Sequence, residues 1–322
     1  MKKHLLIIHT GGTISMYEDM DTGSVMIGNE NQLSKNAKIS DLANFTTFEL
    51  FHVPSPHMTP EKMHIIHTLI LSEMEKNSID GVVITHGTDT LEETAYFLDT
   101  TLDISIPIVV TGAMRSSNEI GSDGLYNFIT SIRVATCDQA RNKGVLVVLN
   151  DEIHSALNVT KTHTSNVATF QSPQHGPIGL VTKKEIIFHH SPNKSIVIKD
   201  YHLNHKVALL KAYTGMDSDL ILCLKELQYD GVVIEGLGQG NLPPSAIQGI
   251  QSLRESQIPI VLVSRCFNGI VQDVYDYEGG GKRLKEEGVI FCNGLNGQKA
   301  RIKLLLALSV SSEIRYLHEA FQ

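Results

Sequence analysis

The chain lacks the features that mark membrane, secreted and nucleic-acid-binding proteins. No apolar stretch approaches the ~18 residues that a membrane-spanning helix needs. The net charge of −8 and the absence of a basic run argue against nucleic acid or an acidic membrane surface as a partner. The 4 cysteines are scattered without paired spacing, which favours reduced core residues of a cytoplasmic protein over a disulfide or zinc framework. They are Cys137, Cys223, Cys266 and Cys292.

The remaining composition is that of an ordinary soluble globular protein. The 322 residues, 42% hydrophobic and 19% charged, are enough for two domains with a large buried core. The apolar run at residues 5–8 is shorter than the ~7–15 residues of a signal-peptide core. Because this run continues directly into Thr10-Gly11-Gly12, we expect it to be the first strand of a sheet.

Short apolar runs alternate with longer amphipathic segments, a pattern typical of strands alternating with helices. The runs are nearly continuous in Val, Ile and Leu, as in parallel strands covered on both faces. Strands are predicted at 4–9, 48–53, 81–85, 107–111, 144–149, 207–210, 231–235, 259–263 and 289–292. Helices are predicted at 60–76, 91–101, 125–138, 243–256 and 299–309, with Pro60 and Pro243 suited to a first helical turn.

The pattern predicts two α/β domains. Residues 80–84 resemble 230–234, and residues 106–110 resemble 258–262, so similar strands recur in similar order in both halves. The polar stretch from His189 onward indicates a connection between them. We therefore expect a larger N-terminal domain (1–190) with a mostly parallel sheet flanked by helices. A linker (191–205) and a smaller C-terminal parallel α/β domain (206–322) follow.

Two predicted strands end in glycine-threonine turns, at Thr10-Gly11-Gly12-Thr13 and at His86-Gly87-Thr88-Asp89-Thr90. Open parallel sheets bind ligands at the carboxyl ends of their strands, so a site is expected at these turns. The Thr13 hydroxyl could attack a carbonyl beside backbone N–H groups. Taken alone, a threonine that caps the next segment is the commoner case, and a phosphate loop ranks well below because its glycine-lysine pattern is absent.

The second turn and a downstream lysine admit two interpretations. Asp89 or Thr90 could cap the helix that follows, or Asp89 could hold a substrate ammonium while Thr88 helps to move protons. Lys161 lies in a polar stretch, where a solvated surface lysine is the default. If Lys161 is instead buried beside Thr88, desolvation would lower its pKa and make it a plausible base.

Other chemistry-bearing residues suggest no further centre. The 15 histidines include His64 and His67 at i, i+3, but there is no H-E-x-x-H motif and no Cys/His cluster, so no metal is expected. The run Gly279-Gly280-Gly281 is interpreted as a flexible loop.

Taken together, these segments resemble the bacterial-type L-asparaginase family over nearly the whole chain, and its cytoplasmic branch most closely. The two specific matches are Thr10-Gly11-Gly12-Thr13-Ile14 and the segment from His86 to Thr94. Supporting matches lie at 55–59, 160–163, 238–241 and 294–301. The resemblance implies hydrolysis of the side-chain amide of L-asparagine to L-aspartate and ammonia, without a cofactor. Its alternatives are a dual asparaginase/glutaminase, a subunit that supplies ammonia for amidating tRNA-bound glutamate, and a non-catalytic amino-acid-binding sensor.

The resemblance also implies a role for each matching residue. Thr13 aligns with the nucleophile that forms an acyl-enzyme, and Thr88, Asp89 and Lys161 align with the second catalytic group. In this alignment Asp89 also binds the substrate α-amino group. Ser55 aligns with the residue that grips the α-carboxylate, and the adjacent Pro56 is expected to contact substrate. Asn241 aligns with a position that reaches a neighbouring subunit's site, which implies a homo-oligomer built as a dimer of dimers.

The sequence departs from the family's pattern in two places. Relatives carry a tyrosine on a closing loop after the nucleophile, where this chain has Asp21-Thr22-Gly23-Ser24-Val25-Met26 and the nearest tyrosine is Tyr17. The acidic residue that some relatives supply from a partner subunit has only weak counterparts here, Asp276 and Glu278. Pro56 and His57 stand where relatives vary, which could tune specificity.

Overall fold

The computed structural model describes residues 2–19, 22, 24–27, 37–193 and 195–322. The chain forms two compact units, Met1–Val197 and Ile198–Gln322. The division falls within the polar stretch expected to be a linker, of which Lys194 lies outside the described residues. In the part of the chain that the structure describes, no helix has the length and apolar character needed to cross a membrane.

The first unit is organised around an eight-stranded sheet. The strands described in this unit, including two short pairs outside the large sheet, are β1 (His4–Gly11), β2 (Met16–Glu18), β3 (Val25–Ile27), β4 (Asn44–Val53), β5 (Gly81–Thr85), β6 (Ile108–Thr111), β7 (Val145–Leu149), β8 (Glu152–Ser155), β9 (Thr160–Lys161), β10 (Phe170–Gln171), β11 (Gly179–Val181) and β12 (Ile186–Phe188). The large sheet has the order β12-β11-β8-β7-β6-β5-β1-β4. Strands β4, β1, β5, β6 and β7 are parallel neighbours, so the predicted mostly parallel α/β fold is confirmed.

Helices cover this sheet and bury its central strands. They are α1 (Ala37–Ser40), α2 (Pro60–Lys76), α3 (Leu91–Thr101) and α4 (Gly124–Ala135). Helix α2 begins as expected for its sequence, because Thr59 Oγ1 accepts a hydrogen bond from Lys62 N at 3.4 Å and Pro60 takes the first turn. Helix α4 packs on β5, β6 and β7, and every residue of β5 is buried. The fully buried rings of Phe97 and Phe128 each contribute roughly 1.5–3 kcal/mol through removal from water.

The structure corrects several element predictions in the first unit. Strands β8, β11 and β12 extend the sheet in antiparallel fashion, and these runs of three or four residues were too short to be predicted as strands. A hairpin of β2 and β3 follows the first turn, and β4 begins four residues before the predicted strand, at Asn44. The helix predicted to reach Asp138 ends at Ala135, and a 3-10 turn (Asp138–Ala140) follows it.

The second unit has a four-stranded sheet with the order β13-β14-β15-β16, all of it parallel. Its elements are β13 (Val207–Lys211), α5 (Asp219–Glu226), β14 (Gly231–Gly236), α6 (Ile247–Glu255), β15 (Ile260–Ser264), α7 (Gly281–Glu286), β16 (Ile290–Phe291), α8 (Gly297–Val310) and α9 (Ile314–Ala320). Helix α8 packs against β13, β14 and β15. The predicted parallel C-terminal α/β domain is therefore confirmed, although α5, α7 and α9 were not predicted.

Three interpretations fail in the second unit. Pro243 does not open a long helix but precedes a 3-10 turn (Pro244–Ala246), and α6 starts only after it. The glycine run is not a flexible loop: its three residues are buried, and a Cβ on Gly279 would lie 2.1 Å from the Leu242 carbonyl oxygen. All four cysteines are free and Cys292 is buried, but Cys223 and Cys266 are exposed, so the prediction of core residues is wrong for these two.

Candidate active site

The turn after β1 is shaped by two glycines. Gly11 and Gly12 have φ values of +100° and +83°, a region that disfavours side chains. A Cβ on Gly12 would lie 2.2 Å from the Cα of Gly87, so the backbones of the two turns are in direct contact. Since β1 and β5 are parallel neighbours, this contact brings the turn that carries Thr13 against the turn after β5.

Thr13 opens a 3-10 turn (Thr13–Ser15) and is half-buried. The N-cap position of this turn is Gly12, which has no side chain with which to cap it. The interpretation of Thr13 as a capping residue is therefore wrong. Its hydroxyl stands in a glycine turn at the carboxyl edge of the parallel sheet, where small ligands bind in open α/β folds.

The turn after β5 is held by a second short segment, the 3-10 turn Ser55–His57. The Asp89 N–H donates to Ser55 Oγ at 3.1 Å, and the Thr90 hydroxyl donates to the Ser55 carbonyl oxygen at 2.8 Å. Thr90 occupies the N-cap position of α3, but its hydroxyl makes no capping hydrogen bond to the helix and donates to Ser55 instead. The capping interpretation of these side chains is therefore wrong, and Ser55 lies against the turn as an integral part of it.

Lys161 is brought to this turn from a distant part of the chain. Its Nζ lies 3.0 Å from Thr88 Oγ1 and 2.7 Å from Asp89 Oδ1, and its side chain is only 15% exposed. The surface-lysine default is thus wrong. The structure joins Thr88, Asp89 and Lys161 into one hydrogen-bonded cluster, in which the lysine can exchange a proton with the Thr88 hydroxyl.

Two buried histidines lie beneath the turns, and sequence reasoning assigned neither of them a role. Burial lowers the pKa of His86 to about 4, and burial with repulsion from His52 lowers the pKa of His9 to about 4. The neutral His86 ring donates from Nδ1 to the Gly87 carbonyl oxygen (2.8 Å) and accepts at Nε2 from the Thr94 hydroxyl (2.9 Å). The signal available in the sequence was a histidine at or just after the end of a run of apolar strand residues.

His9 makes a similar tie one strand away. Its Nδ1 lies 2.7 Å from Thr85 Oγ1, which links β1 to β5 just below the two glycine turns. Its Nε2 has no hydrogen-bond partner among the described residues and lies 3.9 Å from Glu49 Oε1.

The other candidate residues are not part of the hydrogen-bonded cluster of Thr88, Asp89 and Lys161. Pro56 is exposed within the Ser55–His57 turn. Tyr17 lies on β2 opposite Met26 and is 40% exposed, while Asp21 and Gly23 fall outside the described residues. Asn241 belongs to the second unit, where its Oδ1 accepts from Gly281 N at 3.2 Å.

The weak acidic candidates are also in the second unit. Asp276 is paired with Lys282 (2.6 Å) and Arg283 (3.2 Å), and these cations lower the pKa of its carboxyl. Over residues 2–19, 22, 24–27, 37–193 and 195–322, no three His, Cys, Asp or Glu side chains are grouped to hold a metal ion.

The architecture defines the class: an α/β protein with a hydroxyl–lysine–carboxylate cluster at the carboxyl edge of a parallel sheet. Two family models match it. The model described as "Asparaginase, N-terminal" matches residues 4–194, and "Glutaminase/Asparaginase C-terminal domain" matches residues 206–321. The chain belongs to the asparaginase family.

Individual relatives agree with this assignment along their length. The chain is 36% identical to a "Probable L-asparaginase" of Deinococcus radiodurans, covering 98% of this chain and 96% of the relative. It is 31% identical to "L-asparaginase 2" of Bacillus subtilis, covering 99% and 86%. The crystal structure of a "Probable Cytoplasmic L-asparaginase" from Campylobacter jejuni superposes with a TM-score of 0.89 at 32% identity, covering 99% of both chains.

Proposed function

We propose that this protein hydrolyses the side-chain amide of L-asparagine to L-aspartate and ammonia in the cytoplasm. The observation that carries the proposal is the contact of Lys161 Nζ with Thr88 Oγ1 (3.0 Å), beside a turn whose glycines place Thr13 at the same sheet edge. A binding protein needs no such hydroxyl–lysine pair. The relatives bearing the name L-asparaginase favour asparagine as the amide.

In the proposed mechanism, Thr13 Oγ1 attacks the amide carbon and backbone N–H groups of the glycine turn stabilise the oxyanion. The C–N bond breaks, and the proton from the Thr13 hydroxyl leaves with the nitrogen as ammonia. A water then adds to the ester carbon, the C–O bond to Thr13 breaks, and the proton of the water returns to Thr13 Oγ1. The Thr88–Lys161 pair carries these protons between the steps.

Substrate recognition is proposed for the groups around this pair. The Asp89 carboxylate, 60% exposed, binds the α-ammonium, and the Ser55–Pro56 turn binds the α-carboxylate. Asn241 completes the site of a neighbouring copy, which requires a homo-oligomer, a dimer of dimers. No cofactor takes part in this scheme.

Ammonia release from purified protein tests the proposal, with L-asparagine and L-glutamine compared at several concentrations. We expect fast release from asparagine. The two substrates differ by one methylene, which a pocket separates by about 1–3 kcal/mol, so glutamine should react roughly 10–200-fold more slowly. Equal rates would replace the proposal with a dual amidase, and no release from either would refute it.

Thr13→Ala should abolish turnover and leave the far-ultraviolet circular dichroism spectrum unchanged. Thr68→Ala, which removes an exposed threonine hydroxyl on α2, is the matched control and should retain full turnover. Full turnover by Thr13→Ala would contradict the proposed nucleophile.

A further inference from the structure

A buried carboxylate outside the mechanism lies next to the proposed catalytic lysine. Glu92 is the second residue of α3 and is only 4% exposed. Its Oε1 accepts from the Lys161 backbone N–H at 3.2 Å and from the Thr160 hydroxyl at 3.1 Å. A buried charge without such donors would be strongly destabilising, and its place in the first turn of a helix adds the favourable field of the helix dipole.

Lys161 needs this support because of where its strand lies. Strand β9 has only two residues and pairs with β10 in a separate two-stranded sheet, while the preceding residue, Val159, donates from its backbone N–H to the Ser155 carbonyl oxygen at the end of β8 (3.1 Å). The Thr88 and Asp89 groups that Nζ contacts belong to the turn after β5. That backbone hydrogen bond joins β9 to β8 and not to this turn, whereas the Glu92 side chain joins β9 to the helix that follows the turn.

The segment 88–92 holds the same lysine at both ends. Thr88 and Asp89 bind Nζ, while Glu92 binds the backbone N–H. Thr88 and Glu92 are only four residues apart, in the turn after β5 and the first turn of α3. The distance between the groups that contact Lys161 Nζ and the Lys161 backbone is therefore set by this short segment.

We propose that Glu92 is a positioning residue that clamps the Thr160–Lys161 backbone and so holds Lys161 Nζ on Thr88. The role of Lys161 in turnover rests on the function proposed above, whereas its placement by Glu92 does not. Glu92 touches neither the amide nor the water and acts through Lys161. Loss of the clamp frees the two-residue strand to shift, and a misplacement of about 1 Å at a reacting group costs on the order of 10²-fold in rate.

Three variants separate the clamp from a general effect on the helix. Glu92→Gln keeps an acceptor oxygen at the same place, Glu92→Ala removes it, and Glu93→Ala removes the neighbouring carboxylate from the same helical turn. We expect kcat for asparagine to fall on the order of 10²-fold in Glu92→Ala. The KM should stay near that of the unmodified protein. Glu92→Gln should restore most of the rate, and Glu93→Ala should be close to unaffected.

A second readout needs no turnover. In the unmodified protein Lys161 Nζ is held in contact with Thr88, so its acetylation by acetic anhydride, followed by mass spectrometry of the peptide, should be slow. Glu92→Ala should raise this rate several-fold, and Glu92→Gln should not. Thr160→Val, which removes the hydroxyl that donates to Glu92, should give an intermediate rate and remains informative if Glu92→Ala does not fold.

The two readouts separate failure of the clamp from failure of the proposed function. Unchanged acetylation in both Glu92→Ala and Thr160→Val would overturn the clamp, as would an equal kcat loss in Glu92→Gln and Glu92→Ala. A raised acetylation rate in a protein that releases no ammonia would support the clamp and refute the asparaginase proposal.

Discussion

Acidification should destabilise this protein through the buried His86 ring. In the unfolded chain the imidazole binds a proton with the ordinary histidine pKa of 6.5, whereas in the folded protein burial lowers its pKa to about 4. Between these two values the unfolded state holds more protons than the folded state. By linkage, the free energy of unfolding therefore falls as the pH drops below 6.5, and the loss is complete below about pH 4.

The size of the effect follows from the same shift. One pH unit is worth about 1.4 kcal/mol for each proton taken up on unfolding. At pH 5, about 1.5 units below the unfolded-state pKa of 6.5, His86 alone should lower the free energy of unfolding by about 2 kcal/mol relative to neutral pH. His9, whose pKa is also lowered to about 4, acts with the same sign.

The assay is urea unfolding by circular dichroism at pH 7 and pH 5 for the unmodified protein and His86→Asn. Asparagine keeps a donor near the position of Nδ1, toward the Gly87 carbonyl, and does not titrate. We expect the loss between the two pH values to be smaller in His86→Asn by about 2 kcal/mol. His175→Asn, at an exposed histidine, controls for the substitution itself. Identical losses in the unmodified protein and His86→Asn would refute the assignment of a neutral buried ring.

Three further predictions concern single contacts. Gly12→Ala should destabilise by about 1–3 kcal/mol through overlap with Gly87, measured by thermal unfolding. Gly176→Ala, with φ +68° but nothing within 4 Å of the new Cβ, should cost less, and an equal cost would contradict the overlap. Thr59→Ala should lower the free energy of urea unfolding by about 1 kcal/mol by removing the N-cap of α2. An unchanged free energy would contradict a stabilising cap at Thr59. Lys161→Met should reduce kcat by about 10²–10⁴-fold in ammonia assays, and an unchanged kcat would exclude proton transfer by the lysine.

Sequence pattern located the buried parallel strands well and the polar elements poorly. The strand at 81–85 and the helices at 60–76 and 91–101 agree with the structure to the residue. Each carries a strong local signal: a continuous β-branched run, a Thr-Pro start, or a run of acidic and apolar residues. Strand β8, by contrast, reads Glu-Ile-His-Ser and becomes a strand because it pairs with β7 and β11. Such tertiary pairing leaves no mark on a short window of sequence.

In the candidate site, too, one part could be predicted from the sequence and another part could not. Glycine turns are visible in sequence because a positive φ and a close backbone approach restrict the residue type, so the positions of Thr13 and Thr88 followed from their neighbours. Hydrogen-bond partners are not restricted in this manner. The Thr90 hydroxyl had an equally good local use as a helix cap, and only the approach of the Ser55 carbonyl oxygen decided between the two.

Lys161 shows why the resemblance was needed for the rest. Its partners lie 72 and 73 residues away in sequence, and its surroundings alone predict a solvated lysine. Glu92 received no role for a similar reason: its partners lie 68 and 69 residues away, and an acidic residue in the first turn of a helix is already accounted for by the helix dipole. Both interactions act on the Glu92 carboxylate. The helix dipole favours a negative charge at this position, and the hydrogen bonds from Thr160 and Lys161 connect that charge to β9. A preference of the local helix can therefore hide a long-range contact of the same residue. Burial distinguishes the two cases, because a carboxylate that only interacts with the helix dipole can stay exposed, whereas Glu92 is buried against its partners.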